Sequence, residues 1–152
     1  MKHRRTKGLL IRTALLMAGM MMTAATAAAQ EYVSISKDGV NLRSGPDTKS
    51  SVVYELPQGY PLKVMSKQGD WLKVSDFEND QGWVYAPLVT NARYVIVTVN
   101  NGNVRSGPGT NHDTVGTVVR EVVLKQIGEQ GDWIKFEHPQ LTGWIHRKLV
   151  WP

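Results

Sequence analysis

The sequence predicts an all-β protein built from two tandem copies of one small barrel or sandwich, preceded by a cleavable helical export segment. Three observations carry this. "NLRSGP" at Asn41 returns as "NVRSGP" at Asn103, sixty-two residues later, and a period of that size marks a repeated structural unit. Short runs rich in β-branched and aromatic residues recur about every ten residues, split by Gly, Pro, Asp and Asn. Outside residues 1–29, no window carries apolar residues at helical spacing.

The export segment comes first in the chain. Lys2, Arg4, Arg5 and Lys7 precede an apolar run from Thr13 to Met22 and an Ala-rich tail, the order of a secretory signal peptide. Small residues at Ala27 and Ala29 place the expected cut before Gln30, so residues 1–29 leave and the product is periplasmic or secreted. Arg12 keeps the apolar run short of the ~20 residues that a spanning helix needs, so no membrane anchor is expected after cleavage. The segment holds five of the eighteen basic residues and no acid, leaving thirteen basic against thirteen acidic residues. A chain of zero net charge offers no basic stripe, which argues against a nucleic-acid partner. The chain contains no cysteine, so neither a disulfide nor a lipid-modified cysteine supports it, and each unit is held by burial alone.

The two units follow, over 30–90 and 93–152. Tyr32-Val33 matches Tyr94-Val95, Asn41 to Pro46 match Asn103 to Pro108, Leu62-Lys63 matches Leu124-Lys125, and Gln68 to Trp71 match Gln130 to Trp133. The offset then drops to sixty-one, pairing Gly82-Trp83 with Gly143-Trp144 and Leu88-Val89 with Leu149-Val150. Strands are expected at "YVSIS", "YPLKVM", "WLKVS" and "GWVYA", and again at "YVIVTV", "EVVLKQI", "WIKFE" and "GWIHR". The link "TNAR" is too short for free swinging, so the units are expected to dock.

The order Asn-x-Arg-Ser-Gly-Pro, Gly-Asp-Trp, Gly-Trp-Val or Gly-Trp-Ile, then Leu-Val, occurring twice, resembles the bacterial SH3-like (Src-homology-3-type) domain. The resemblance implies two tandem small SH3-like β-barrels in an exported bacterial protein. It also implies company with wall hydrolases or transpeptidases and, in some members, binding of cell-wall peptides. It does not extend to proline-rich recognition: the aromatic and acidic first-strand motif of the eukaryotic relatives is missing, and Leu88 and Leu149 stand where those relatives carry a pocket tyrosine.

Alternation assigns the faces. In "WLKV", Leu72 and Val74 share one side, Trp71 and Lys73 the other; since lysine does not face a core, Trp71 points outward. Its neighbour "GWVYA" turns Val84 inward and leaves Trp83 and Tyr85 outside. A register pairing Lys73 with Trp83 and Trp71 with Tyr85 builds an outward ladder. The second unit repeats this, with Ile134, Phe136 and Ile145 inward and Trp133, Lys135, Trp144 and His146 outward. Such aromatics either cover the flank of a barrel with little interior or form a strip that binds peptides or sugars. On the second reading the ligand residues are Trp71, Trp83, Tyr85, Tyr54 and Arg43 in the first unit and Trp133, Trp144 and Arg105 in the second, and the family resemblance ranks Trp71 and Trp133 highest.

The repeated phrase itself reads as architecture: Gly45 and Gly107 give a tight turn its backbone freedom, and Pro46 and Pro108 fix the next dihedral. Arg43 and Arg105 can reach loop carbonyls, or receive a stem-peptide carboxylate beside the aromatics. Tyr54, Tyr60 and Tyr85 correspond to Gly116, Val122 and His146, so the first unit is expected to bind better. Trp151 is assigned to the docking surface or a terminal cap.

No catalytic constellation is legible. There is no Cys, the three His outside the export segment lie in the second unit alone, and the barrels fill the remaining chain. The protein is therefore expected not to be an enzyme. No zinc spacing is present, the acidic loop Asp76, Glu78, Asp80 reads as a solvated hairpin turn, and neither cofactor nor metal is expected. The expected partner is a cell-wall peptide, peptidoglycan first, which two linked modules bind with added avidity. Another envelope protein is the alternative.

Overall fold

The computed structural model describes residues 28–152, so all of the expected export segment except Ala28 and Ala29 lies outside the described residues. The first unit contains β1 (Tyr32–Ile35), β2 (Val40–Arg43), β3 (Val52–Leu56), β4 (Pro61–Gln68), β5 (Trp71–Ser75), β6 (Gln81–Tyr85) and the short β7 (Val89–Thr90). The second repeats them as β8 (Tyr94–Val97), β9 (Gly102–Arg105), β10 (Thr114–Val118), β11 (Val123–Gln130), β12 (Trp133–His138), β13 (Leu141–His146) and β14 (Val150–Trp151). Two seven-stranded sheets result, ordered β3-β2-β6-β5-β4-β1-β7 and β10-β9-β13-β12-β11-β8-β14, each an SH3-like barrel. Among the described residues no helix is long and apolar enough to cross a membrane.

Two glycine requirements explain the repeated motifs. In Gly-Asp-Trp, Gly69 and Gly131 both have φ +57° with open space around them, so the backbone conformation alone demands glycine. Each opens a two-residue link between strands paired Gln68 to Trp71 and Gln130 to Trp133, the turn that puts glycine at its first central position. In Gly-Trp, crowding decides. A Cβ on Gly82 would lie 2.6 Å from Leu42 and 3.0 Å from the Arg43 carbonyl oxygen, and one on Gly143 2.5 Å from Val104. A side chain there would push β2 away from β6 in the first unit and β9 away from β13 in the second.

Each barrel has its own core. Val33, Ile35, Leu42, Leu62, Val74 and Val84 lead the first, and Val95, Val104, Leu124, Ile134, Phe136 and Ile145 the second. The residues assigned inward from alternation all lie in these cores. The units also dock, as expected. Tyr32 meets Trp151 edge to face at 5.5 Å, which puts Trp151 in the docking surface. Gly59 lies so close to the Tyr94 ring that a Cβ would sit 2.5 Å from it. Arg120 of the second unit donates to Thr98 O, pairs with the Glu78 carboxylate of the first unit, and lies 5.1 Å over the Phe77 ring.

Candidate functional site

The hairpin of β5 and β6 carries the candidate site. Its register pairs Trp71 with Tyr85, Leu72 with Val84 and Lys73 with Trp83, as alternation predicts. The Trp71 and Tyr85 rings lie 5.5 Å apart and tilted by 47°, within the range where aromatic pairs attract beyond simple burial. Arg43, at the end of β2, stands opposite Trp83. Its guanidinium is anchored on one side only, with Nη1 donating to Thr48 O at 3.1 Å and Ser50 O at 2.9 Å.

These groups converge on a groove of about 500 Å³ whose walls include Lys37, Asn41, Arg43, Asp47, Trp71 and Tyr85. Asp47 is engaged within its own loop, accepting from Lys49 N and Ser50 N at 2.8 Å each. Those bonds, Ser50 N–H first, hold its carboxyl below the usual aspartate range. Lys37 and Asp47 carried no sequence signal, because an exposed lysine or a loop aspartate alone points to nothing.

The structure brings Trp71, Tyr85 and Arg43 to one groove, pairs Trp83 with Arg43 outside its walls, and turns Tyr54 away from it. Trp83 is half-buried on the same sheet face but does not line the groove. Tyr54 turns to a different cleft of about 330 Å³ shared with Tyr60 and Asp76. There its hydroxyl donates to Asp80 Oδ2 at 3.0 Å, and that bond raises the phenol's pKa. In the second unit Trp133 meets His146 edge to face at 5.2 Å. The Lys135 ammonium sits 6.0 Å over Trp144, and Arg105 Nη1 donates to His112 O at 2.9 Å.

Two expectations need correction. The acidic loop is not a solvated turn at its root: Asp76 is buried, with Oδ1 accepting from Glu78 N and Asp80 N, both at 2.9 Å, and Oδ2 from Tyr60 Oη at 3.3 Å. Burial, then the charge of Asp76, raises the Tyr60 pKa. Gly45 and Gly107 are not left-handed turn residues, since the positive-φ glycines among the described residues are Gly39, Gly59, Gly69 and Gly131. Close approach selects Gly107 instead, where a Cβ would come 2.5 Å from the His112 ring; at Gly45 a Cβ would meet the Ser50 hydroxyl at 2.5 Å, which can rotate away.

A larger cleft of about 760 Å³ lies between the units, along Asp38, Gln58, Tyr94, Glu121, Lys125 and Glu137. Much of its polar wall is already paired, Lys125 Nζ with Glu137 at 2.9 Å and Gln58 N with Asp38 Oδ1 at 2.8 Å. Among the described residues no three His, Asp or Glu side chains group so as to hold a metal ion.

Family models described as "Bacterial SH3 domain" match residues 36–91 and 100–150. The chain belongs to the bacterial SH3 domain family. A Bacillus subtilis (strain 168) protein named as an N-acetylmuramoyl-L-alanine amidase, YrvJ, is 28% identical over 134 residues, covering 81% of this chain and 26% of that one. The chain thus spans about a quarter of the curated relative it matches. Among solved structures, an NlpC/P60 family protein from Bacillus cereus ATCC 10987 aligns with TM-score 0.38 and 16% identity over 80% of this chain and 56% of that one. NlpC2 from Trichomonas vaginalis aligns with TM-score 0.35 and 14% identity over 81% and 48%. Likeness at these TM-scores is too weak to carry an argument about this chain.

The amidase relative overturns the expectation that the protein is not an enzyme. That expectation came from the absence of a catalytic constellation in two barrels, whereas the kinship of these bacterial SH3 domains is with a protein named for hydrolysis.

Proposed function

We propose that the chain is an extracytoplasmic wall-targeting pair of bacterial SH3 domains, over 30–90 and 93–152, whose first unit binds the peptide part of peptidoglycan. The observation that carries this is the convergence of the Trp71–Tyr85 ring pair and the anchored Arg43 on one open groove. Aromatic platforms beside a few fixed polar groups suit an extended peptide, because the rings supply contact area at low conformational cost. The relative's name supports the compartment, since an N-acetylmuramoyl-L-alanine bond is where wall peptide joins wall sugar. The second unit adds avidity on a repeating polymer without new contact chemistry.

The test is sedimentation of the full chain with protein-free peptidoglycan sacculi, alongside folded Trp71→Ala and Trp133→Ala variants. Saturable retention of the wild type, weakened about tenfold by Trp71→Ala and much less by Trp133→Ala, is the expected outcome. No retention at physiological salt would sink the reading. One observation favours a second reading, binding to another envelope protein by strand addition. The edge strand β3 exposes Val52, Val53 and Tyr54, and such an edge can accept an extended segment.

A further inference from the structure

We infer that the first-unit groove reads a free carboxylate on its ligand, with Arg43 and Lys37 as the receiving cations and Trp71 and Tyr85 as the apolar wall beside it. This rests on the wall-peptide reading of the same groove and goes further by naming the group that is recognised.

Arg43 has five N–H donors. Those on Nη1 are taken by the carbonyls of Thr48 and Ser50. Nε and Nη2 donate to no side chain or carbonyl among the described residues, and no carboxylate there lies within 4.0 Å of the guanidinium. Anchoring one edge of a guanidinium while leaving the other free fixes its plane, and a fixed fork suits two-point binding of a carboxylate. Lys37, Trp71 and Tyr85 line the same groove, and the side-chain donors of all three bond to no other residue among the described residues. The one carboxylate in the wall, Asp47, has an oxygen bound by two backbone N–H groups of its own loop. The fixed charges of the wall are two cations, Arg43 and Lys37, against the one carboxylate of Asp47. An anionic group ending in paired oxygens matches that arrangement, whereas an ammonium does not.

The second unit lacks parts of this set. Val99 stands for Lys37, Gly109 for Asp47 and His146 for Tyr85 at the corresponding positions, so carboxylate reading belongs to the first unit alone.

The experiment compares retention of the full chain on native sacculi with retention on the same sacculi after carbodiimide and ammonium have turned their free carboxyls into neutral amides. We expect amidation to lower retention at least about tenfold. On native sacculi Lys37→Gln and Arg43→Lys should each weaken binding several-fold, while on amidated sacculi neither should change what remains. Lys148→Gln, an exposed lysine outside the groove, controls for bulk charge and should change nothing. If Arg43→Lys fails to fold, Lys37→Gln carries the test, because its side chain bonds to no other residue. Equal retention on native and amidated sacculi overturns the carboxylate inference and leaves wall binding standing. Retention on neither overturns both.

Discussion

The hairpin that carries Trp71 and the hairpin that carries Trp133 share one register, yet they close differently and face different neighbours. In the first, β5 and β6 are joined through Asp76 to Asp80, a loop folded around one buried carboxylate. In the second, β12 and β13 run further and meet across Pro139 and Gln140, with His138 Nδ1 accepting from Gln140 N at 3.2 Å. The partner of the platform tryptophan differs too, Tyr85 in one unit and His146 in the other. The lesson is that the repeat preserves what the barrel requires, the glycines and the inward residues, and varies what stands outside it. Binding should follow the variation and stability the preservation.

The largest effect expected is on stability, at the loop where the hairpins part. Asp76→Ala removes an acceptor serving three donors, one of them the half-buried Tyr60 hydroxyl, and should destabilise the first unit by about 3 kcal/mol. His138→Ala removes a single exposed bond and should cost well under 1 kcal/mol. Chemical denaturation followed by tryptophan fluorescence measures both, and equal losses would break the contrast. Where the units are alike, the effects should match. Gly82→Ala and Gly143→Ala each force a Cβ into the neighbouring strand and should destabilise their own barrels by about 1 to 3 kcal/mol. A neutral Gly82→Ala would mean that the close crossing of β2 and β6 is not what selects glycine.

Next comes binding. Exchanging the ring partners, as Tyr85→His in one variant and Tyr85→His with His146→Tyr in another, tests whether affinity follows the first-unit pair. Retention on sacculi should drop about fivefold in the single variant. Recovery in the double variant by more than about half would show that the second unit's groove is equivalent apart from that ring. Tyr54→Phe should leave retention unchanged, since Tyr54 faces the other cleft.

The hairpin registers followed from the alternation in "WLKV" and "GWVY", because one lysine on a strand face is enough to orient it. The strands β2 and β3, and their counterparts β9 and β10, carry no strand signal of their own in the sequence. β2 is four residues long, and the edge strand β3 exposes every residue but Leu56, so it shows no period. The groove was half legible: Trp71, Tyr85 and Arg43 carried a signal of type and position, whereas Lys37 and Asp47 enter it only because the loops before and after β2 fold towards β5 and β6. The burial of Asp76 is not legible for a related reason, since it depends on Tyr60, sixteen residues away.

The smallest effect is electrostatic and sharpens the contrast between the two repeated loops. Asp47 holds its loop through Ser50 N–H and Lys49 N–H, and these bonds favour the charged carboxylate, lowering its folded pKa from the ordinary 3.8. A lowered folded pKa means a contribution that is fully present above the unfolded value and lost as pH falls through the folded one. The second unit has Gly109 at that position, and its loop closes through backbone bonds, Gly109 N to Gly107 O and His112 N to Gly109 O. In amide spectra recorded over roughly pH 2 to 6, the Lys49 and Ser50 N–H signals should titrate with a midpoint below 3.8. Asp47→Gly should abolish that titration, and Gly109 should show none of its own from this source. A midpoint at or above the ordinary aspartate value would mean that the two bonds do not persist in solution, and the first-unit loop would then be no better ordered than its counterpart.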